Sequence, residues 1–293
     1  MEDTRSRQVV IAGAGVAGLT AALAFAERGY PVKLLEQASR LEAAGAGIQL
    51  SPNATRILGK LGVLDRLRPA AVQPEAVVLK DTTTLRELAR VPLGQAAEAR
   101  WHAPYLVAHR ADLQAALLAQ AAERPEIELH TGARVTGIAA NAQDVAVTAE
   151  AHGRAIEVHG RLLVGADGVW SSVRAQLANK DFGKSRFSGE LAWRATVAAE
   201  SAAGQAFAAI GAIDCVTTFL HPGFHMVAYP VSKGRAFNLA AFTRGERIAE
   251  GWSGHADPAM LTAALRGTAP GLGKLVALAG PWTAFPIHTV EQM

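Results

Sequence analysis

The sequence predicts an α/β fold in which a parallel β-α-β unit at the N-terminal end is joined to a mostly antiparallel sheet. Three observations carry this. Val9–Ala12 is a short apolar, β-branched run that ends in glycines, as a buried parallel strand does. Val16–Arg28 is rich in Ala and Leu and stops at Gly29, and Val32–Leu35 is a second apolar run. From Phe187 to Phe242 short strand-like runs dominate, separated by turn signals at Pro222–Gly223 and Lys233–Gly234.

The remaining elements follow in order. Ser51–Leu67 reads as two helices with a turn between them, Pro52 standing near the start. Ala76–Lys80 and Arg86–Val91 alternate as strands. Ala111–Glu123 is a helix, with Asp112 in its first turn and Pro125 beyond its end. Ile127–His130, Arg134–Ala140, Val145–Glu150, Ala155–Val158 and Leu162–Val164 are five successive strands. Leu191–Ala199, Val216–Leu220, His225–Tyr229 and Ala236–Phe242 build the second sheet, and Pro258–Arg266 and Pro270–Leu278 return to helix.

Composition bounds the function. Half the residues are hydrophobic and 19% are charged, the balance of a globular protein. A net charge of +3, with the arginines scattered, argues against a nucleic-acid partner, which needs clustered cations. The single cysteine, Cys215, can neither close an intrachain disulfide nor build a zinc site, and its flanks suggest a small buried apolar residue. The uncharged stretch Gln8–Ala26, preceded by Arg5 and Arg7, mimics a signal peptide. Its glycines fall at turn spacing and the pattern runs on into another strand, so a protein without a membrane segment, cytoplasmic in setting, is expected.

The chemistry lies in two motifs. Gly13-Ala14-Gly15-Val16-Ala17-Gly18 follows a strand and opens a helix, and Glu36 ends the next strand. In that context GxGxxG is a Rossmann-like dinucleotide fingerprint. Gly13 permits the tight turn, Gly15 lets a pyrophosphate approach the backbone, and Gly18 lets the helix pack closely. Free N–H groups and the helix dipole then face the phosphates. Glu36 suits an unphosphorylated adenosine ribose, as in FAD or NAD, with Ala17 and Gln37 beside these positions. The second motif, Arg161-Leu-Leu-Val-Gly-Ala-Asp167-Gly168, is an apolar strand ending in Asp-Gly and followed by Ser171–Arg174 as a helix start. Three other chemistries are disfavoured. His221 and His225 flank a Pro-Gly turn with no acid between them, so a metal site is not expected. No G-x-S-x-G elbow and no P-loop consensus occurs.

With both motifs in place, the sequence resembles the group A FAD-dependent aromatic monooxygenases, the p-hydroxybenzoate and salicylate hydroxylase-like family. The resemblance spans nearly the whole chain. It implies an FAD domain interleaved with a substrate sheet, with NAD(P)H as reductant, O2 as oxidant and a small aromatic substrate. It carries cofactor contacts onto Asp167, Gly168 and Arg174, onto Gln49 in the segment Gly45–Ala54, onto Arg110 in His109–Leu113, and onto Val135 by its backbone. It suggests Arg194, His225 and Tyr229 for the substrate face. The implied boundaries are 1–72 and 99–182 for the FAD domain, 73–98 and 183–281 for the substrate sheet, and 282–293 for the start of a return to the FAD domain. Family members carry a third, G-D-A-A-H-type motif. Here the final residues, Phe285–Met293, resemble the segment upstream of it, so a chain truncated before that motif is expected. Two alternatives stand beside the enzyme: a non-catalytic FAD- or ADP-binding remnant, and an NAD-dependent dehydrogenase resting on the first motif alone.

Overall fold

A computed structural model describes residues 7–41, 47–177, 185–246 and 257–290. Its centre is a four-stranded parallel sheet in the order β11-β1-β2-β7, with β1 Val9–Ala12, β2 Val32–Glu36, β7 Ile127–Thr131 and β11 Leu162–Gly165. Strand alternation divides its two faces. Val9, Ile11 and Leu34 pack against the helices α1 Val16–Ala26 and α5 Arg110–Ala122. Val10, Ala12 and Leu35 pack against a three-stranded antiparallel sheet of β8 Ala133–Ala140, β9 Val145–Ala151 and β10 Arg154–Gly160. Burial on both sides explains why β1 reads as an unbroken apolar run.

The second sheet has seven strands in the order β16-β12-β15-β14-β13-β4-β5. These are β4 Ala76–Asp81, β5 Glu87–Pro92, β12 Ser185–Ala198, β13 Val216–His221, β14 Phe224–Val231, β15 Ala236–Arg244 and β16 Thr283–Val290. All its pairings are antiparallel except that of β4 with β13. One face is roofed by α7 Ala202–Ala208, α8 Pro258–Ala264 and α9 Pro270–Leu278, which enclose Trp193, Phe207, Phe219, Met226 and Leu239. Burying an aromatic or large aliphatic side chain contributes about 1.5–3 kcal/mol, so this core dominates the sheet's stability. Between the two sheets runs a two-stranded ribbon of β3 Gly47–Leu50 and β6 Leu106–His109.

Several elements depart from the sequence reading. The short strands β3 and β6 and the helices α4 Gly94–Trp101 and α7 were not anticipated. Residues 283–290 form the strand β16, which lies antiparallel along β12 at the edge of the larger sheet. Pro286 is tolerated there because an edge strand leaves one row of backbone positions unpaired.

Candidate FAD site

The glycine loop is shaped by three separate constraints. Gly13 has φ +98°, and a Cβ there would lie 2.5 Å from the Ala166 carbonyl oxygen. Conformation and crowding both require glycine. A Cβ on Gly18 would overlap the carbonyl oxygen of Gly13, so the first turn of α1 rests directly on the loop. Gly15, the N-cap of α1, has nothing among the described residues within 4 Å of its Cβ position and no side-chain cap. The amino end of an 11-residue helix therefore opens on free space, which is how such a terminus receives an anion.

Glu36 turns back onto this loop. Its Oε2 accepts from the Ala14 N–H at 2.7 Å and its Oε1 from the Ala38 N–H at 2.8 Å. Each carboxylate oxygen keeps a further lone-pair site for a ribose hydroxyl. Gln114 Nε2 donates to the Ala14 carbonyl at 3.3 Å, tying α5 to the same turn.

These residues border a cleft of about 1000 Å³, at the upper end of ordinary ligand cavities. Its walls include Gly13, Gly15, Glu36, Gln37, Arg110, Val135, Asp167, Gly168 and Arg194, nine of the positions singled out from the sequence. It lies at the carboxyl ends of the parallel strands, where open α/β sheets bind ligands. At Val135–Gly137 the β8–β9 register shifts, so the strand bulges where it borders the cleft. A bulge frees backbone groups from the ladder.

Other expected residues sit differently. Ala17 and Gly18 belong to the first turn of α1 but are not part of the cleft wall. Asp167 borders the cleft, yet its carboxylate accepts from the Ser171 and Ser172 hydroxyls and from the Val173 N–H at 3.1 Å. It caps α6 Ser172–Leu177 and fixes the turn. The Arg174 guanidinium folds back to donate to the carbonyls of Gly168 and Val169, so it braces that turn from behind. Gln49 accepts from the Tyr105 hydroxyl at 2.7 Å, off the cleft wall. Of the segment Gly45–Ala54, residues 45 and 46 lie outside the described residues.

The substrate candidates also divide. Arg194 enters the cleft from β12, half-buried, with its guanidinium 5.0 Å over the Phe285 ring. Burial, and then the nearby Arg110 charge, hold its pKa below the usual guanidinium value. Tyr229 is buried one strand beyond β15, and burial pushes its phenol well above the ordinary value. His225 is exposed and stacked 4.5 Å from Phe242, away from the cleft. Sequence reasoning missed Trp170, Gln114 and the Phe285–His288 segment as wall residues. Trp170 meets His288 edge-on at 5.6 Å, joining the Asp-Gly turn to β16. The signal was present in Trp170, which stands two residues after Gly168 of the second motif.

The residues fit a dinucleotide: a cradle that a Cβ would fill, an open helix terminus and a carboxylate at ribose reach. A family described as FAD binding domain matches residues 6–267. The chain belongs to this FAD-binding family, and FAD is its cofactor. Its relatives are the FAD-dependent aromatic monooxygenases. It is 35% identical over 244 residues to a 3-hydroxybenzoate 6-hydroxylase of Polaromonas naphthalenivorans (strain CJ2), covering 83% of this chain and 58% of the relative. It is 34% identical over 252 residues to a 3-amino-4-hydroxybenzoate 2-monooxygenase of Streptomyces cremeus, covering 81% and 57%. The chain thus spans somewhat over half the length of these curated relatives. The fold matches that of Klebsiella pneumoniae HpxO complexed with FAD and uric acid, with TM-score 0.78, 24% identity and coverage of 100% and 71%. It also matches a salicylate hydroxylase substrate complex, with TM-score 0.77, 21% identity and coverage of 98% and 69%. No helix among the described residues is long and apolar enough to cross a membrane.

Proposed function

We propose that this protein works as an FAD-dependent monooxygenase that hydroxylates a small aromatic substrate, with NAD(P)H as reductant and O2 as oxidant, in a cytoplasmic setting. The observation that carries the reading is one cleft whose walls bring Gly13, Gly15 and Glu36 together with Arg194. The relatives' names add hydroxylated benzoates as the substrate class.

The chain's own residues have separate tasks in this reading. The amino end of α1 and the Arg110 guanidinium hold the diphosphate. Glu36 holds the adenosine ribose, and backbone groups of the Val135 bulge meet the adenine. Asp167, Ser171 and Arg174 hold Gly168 in its turn at the cleft wall. Bound flavin supplies hydride acceptance and oxygen activation. Arg194 receives the anionic or phenolic edge of the ring and orients it; a half-buried cation with no carboxylate salt bridge among the described residues is suited to that task. Trp170, Phe285 and His288 line the wall and keep water from the reacting edge. The segments 1–72 with 99–182 form the cofactor unit, and 73–98 with 183–281 the substrate unit.

The test is a visible spectrum of the purified protein with FAD, followed by NADH and NADPH oxidation with and without 3-hydroxybenzoate and salicylate. Flavin-dependent oxidation stimulated by one of these acids, with a hydroxylated product, is expected. Oxidation indifferent to every hydroxybenzoate tested contradicts the reading.

A further inference from the structure

Gly47 opens β3, and its N–H donates to Asn238 Oδ1 at 2.7 Å across 191 residues of sequence. The spot is closed to a side chain. A Cβ on Gly47 would lie 2.5 Å from Asn238 Cγ and 2.5 Å from the Tyr229 hydroxyl. Asn238 and Tyr229 are cross-strand partners on β15 and β14, 2% and 4% exposed. Tyr229 also packs with Val107 of β6. The β3–β6 ribbon is thus seated on the larger sheet through both of its strands.

The chain path shows what this seat controls. Gly47 pairs with His109, and the next residue is Arg110. Asn238 pairs with Thr196, which shares a face of β12 with Arg194. Arg110 at the start of α5 and Arg194 on β12 both line the cleft, near enough that one charge acts on the other. Like charges drive the walls apart; a seated ribbon resists this.

We propose that Asn238 and Tyr229 are positioning residues: they seat the ribbon and so fix the spacing between the Arg110 wall, which holds the cofactor, and the Arg194 wall, which receives the substrate. The inference rests on the FAD reading of the cleft. It is tested with the full chain by hydrogen exchange at the Gly47 amide without ligand and by FAD titration. Asn238→Leu keeps the size and removes the acceptor. It exchanges the Gly47 amide at least tenfold faster and binds FAD at least fivefold more weakly, with β1 and β2 amides still protected. Asn238→Asp keeps an acceptor and holds both quantities within about twofold of wild type. Gly47→Ala fills the seat and also weakens FAD at least fivefold; Tyr229→Phe in that background recovers part of the loss by removing the hydroxyl. Asn238→Leu with unchanged Gly47 exchange or unchanged FAD affinity overturns the proposal, as does failure of Asp to rescue. Should Asn238→Leu not fold, Gly47→Ala with wild-type FAD affinity overturns it. A wild-type chain that binds no FAD refutes the cofactor reading instead, and the exchange data still judge the seat.

Discussion

Gly13, Gly15 and Gly18 share one motif but answer to different neighbours. Gly13 is held by its positive φ and by Ala166, Gly18 by the Gly13 carbonyl, and Gly15 by none of the described residues. Gly18→Ala forces backbone apart. It should destabilise the fold by about 1–3 kcal/mol, in line with other overpacked sites, and lower FAD affinity together with the unfolding midpoint in denaturant. Gly15→Val should leave folding stability nearly unchanged and still abolish FAD binding, because only the ligand needs that space. Equal stability losses in the two variants would show that the open space at Gly15 has no ligand role. Tyr229 offers a separate check through pH. Burial raises its folded-state pKa, so its contribution is fully present below the unfolded phenol value of about 10 and is lost as pH rises above it. Alkaline unfolding of wild type should therefore steepen above about pH 10, and Tyr229→Phe should flatten that limb.

Among the elements, those with strong periodicity or clear punctuation were legible in the sequence. β1, α1 and β2 announced themselves through an apolar run, a glycine turn and a second apolar run. The site residues they carry, Gly13, Gly15 and Glu36, were legible with them. The ribbon strands β3 and β6 were not, because no turn signal links them and their pairing joins distant segments. α7 left a readable trace in Ser201, whose Oγ accepts from the Gly204 N–H at 3.1 Å as an N-cap, but its Ala-Gly-rich body obscured it. Asp167 was legible as part of a motif, while its capping of α6 required coordinates. The β9–β10 hairpin carries a surface charge cluster that can be tested alone. His159 faces Asp144 and Glu157, each at 2.8 Å, and Asp144 and then Glu157 raise its pKa. The stabilisation is present below the ordinary histidine value and lost as pH rises through the folded one. Asp144→Asn should lower the His159 pKa in an NMR titration; an unchanged value would mean the pair is not formed in solution.

On the scale of the whole molecule, the cleft exists because two sheets meet at the carboxyl ends of the parallel strands and a short ribbon spaces them. The parallel sheet contributes backbone and a carboxylate, suited to a dinucleotide. The larger sheet contributes Arg194, half-buried and close enough to Arg110 to feel its charge. Arg194→Ala should raise KM for a hydroxybenzoate at least tenfold, about 1.4 kcal/mol of binding, while leaving FAD affinity within twofold. Equal losses of both would place Arg194 on the cofactor instead. The central claim is that the Gly13–Gly18 loop and Glu36 together hold FAD. Calorimetric titration with FAD tests it most directly, run on wild type and on Glu36→Ala. One equivalent bound by wild type, with at least tenfold weaker binding by Glu36→Ala in a protein of unchanged fold, is the predicted result. No heat of binding from folded wild type, or equal affinity in both proteins, contradicts it.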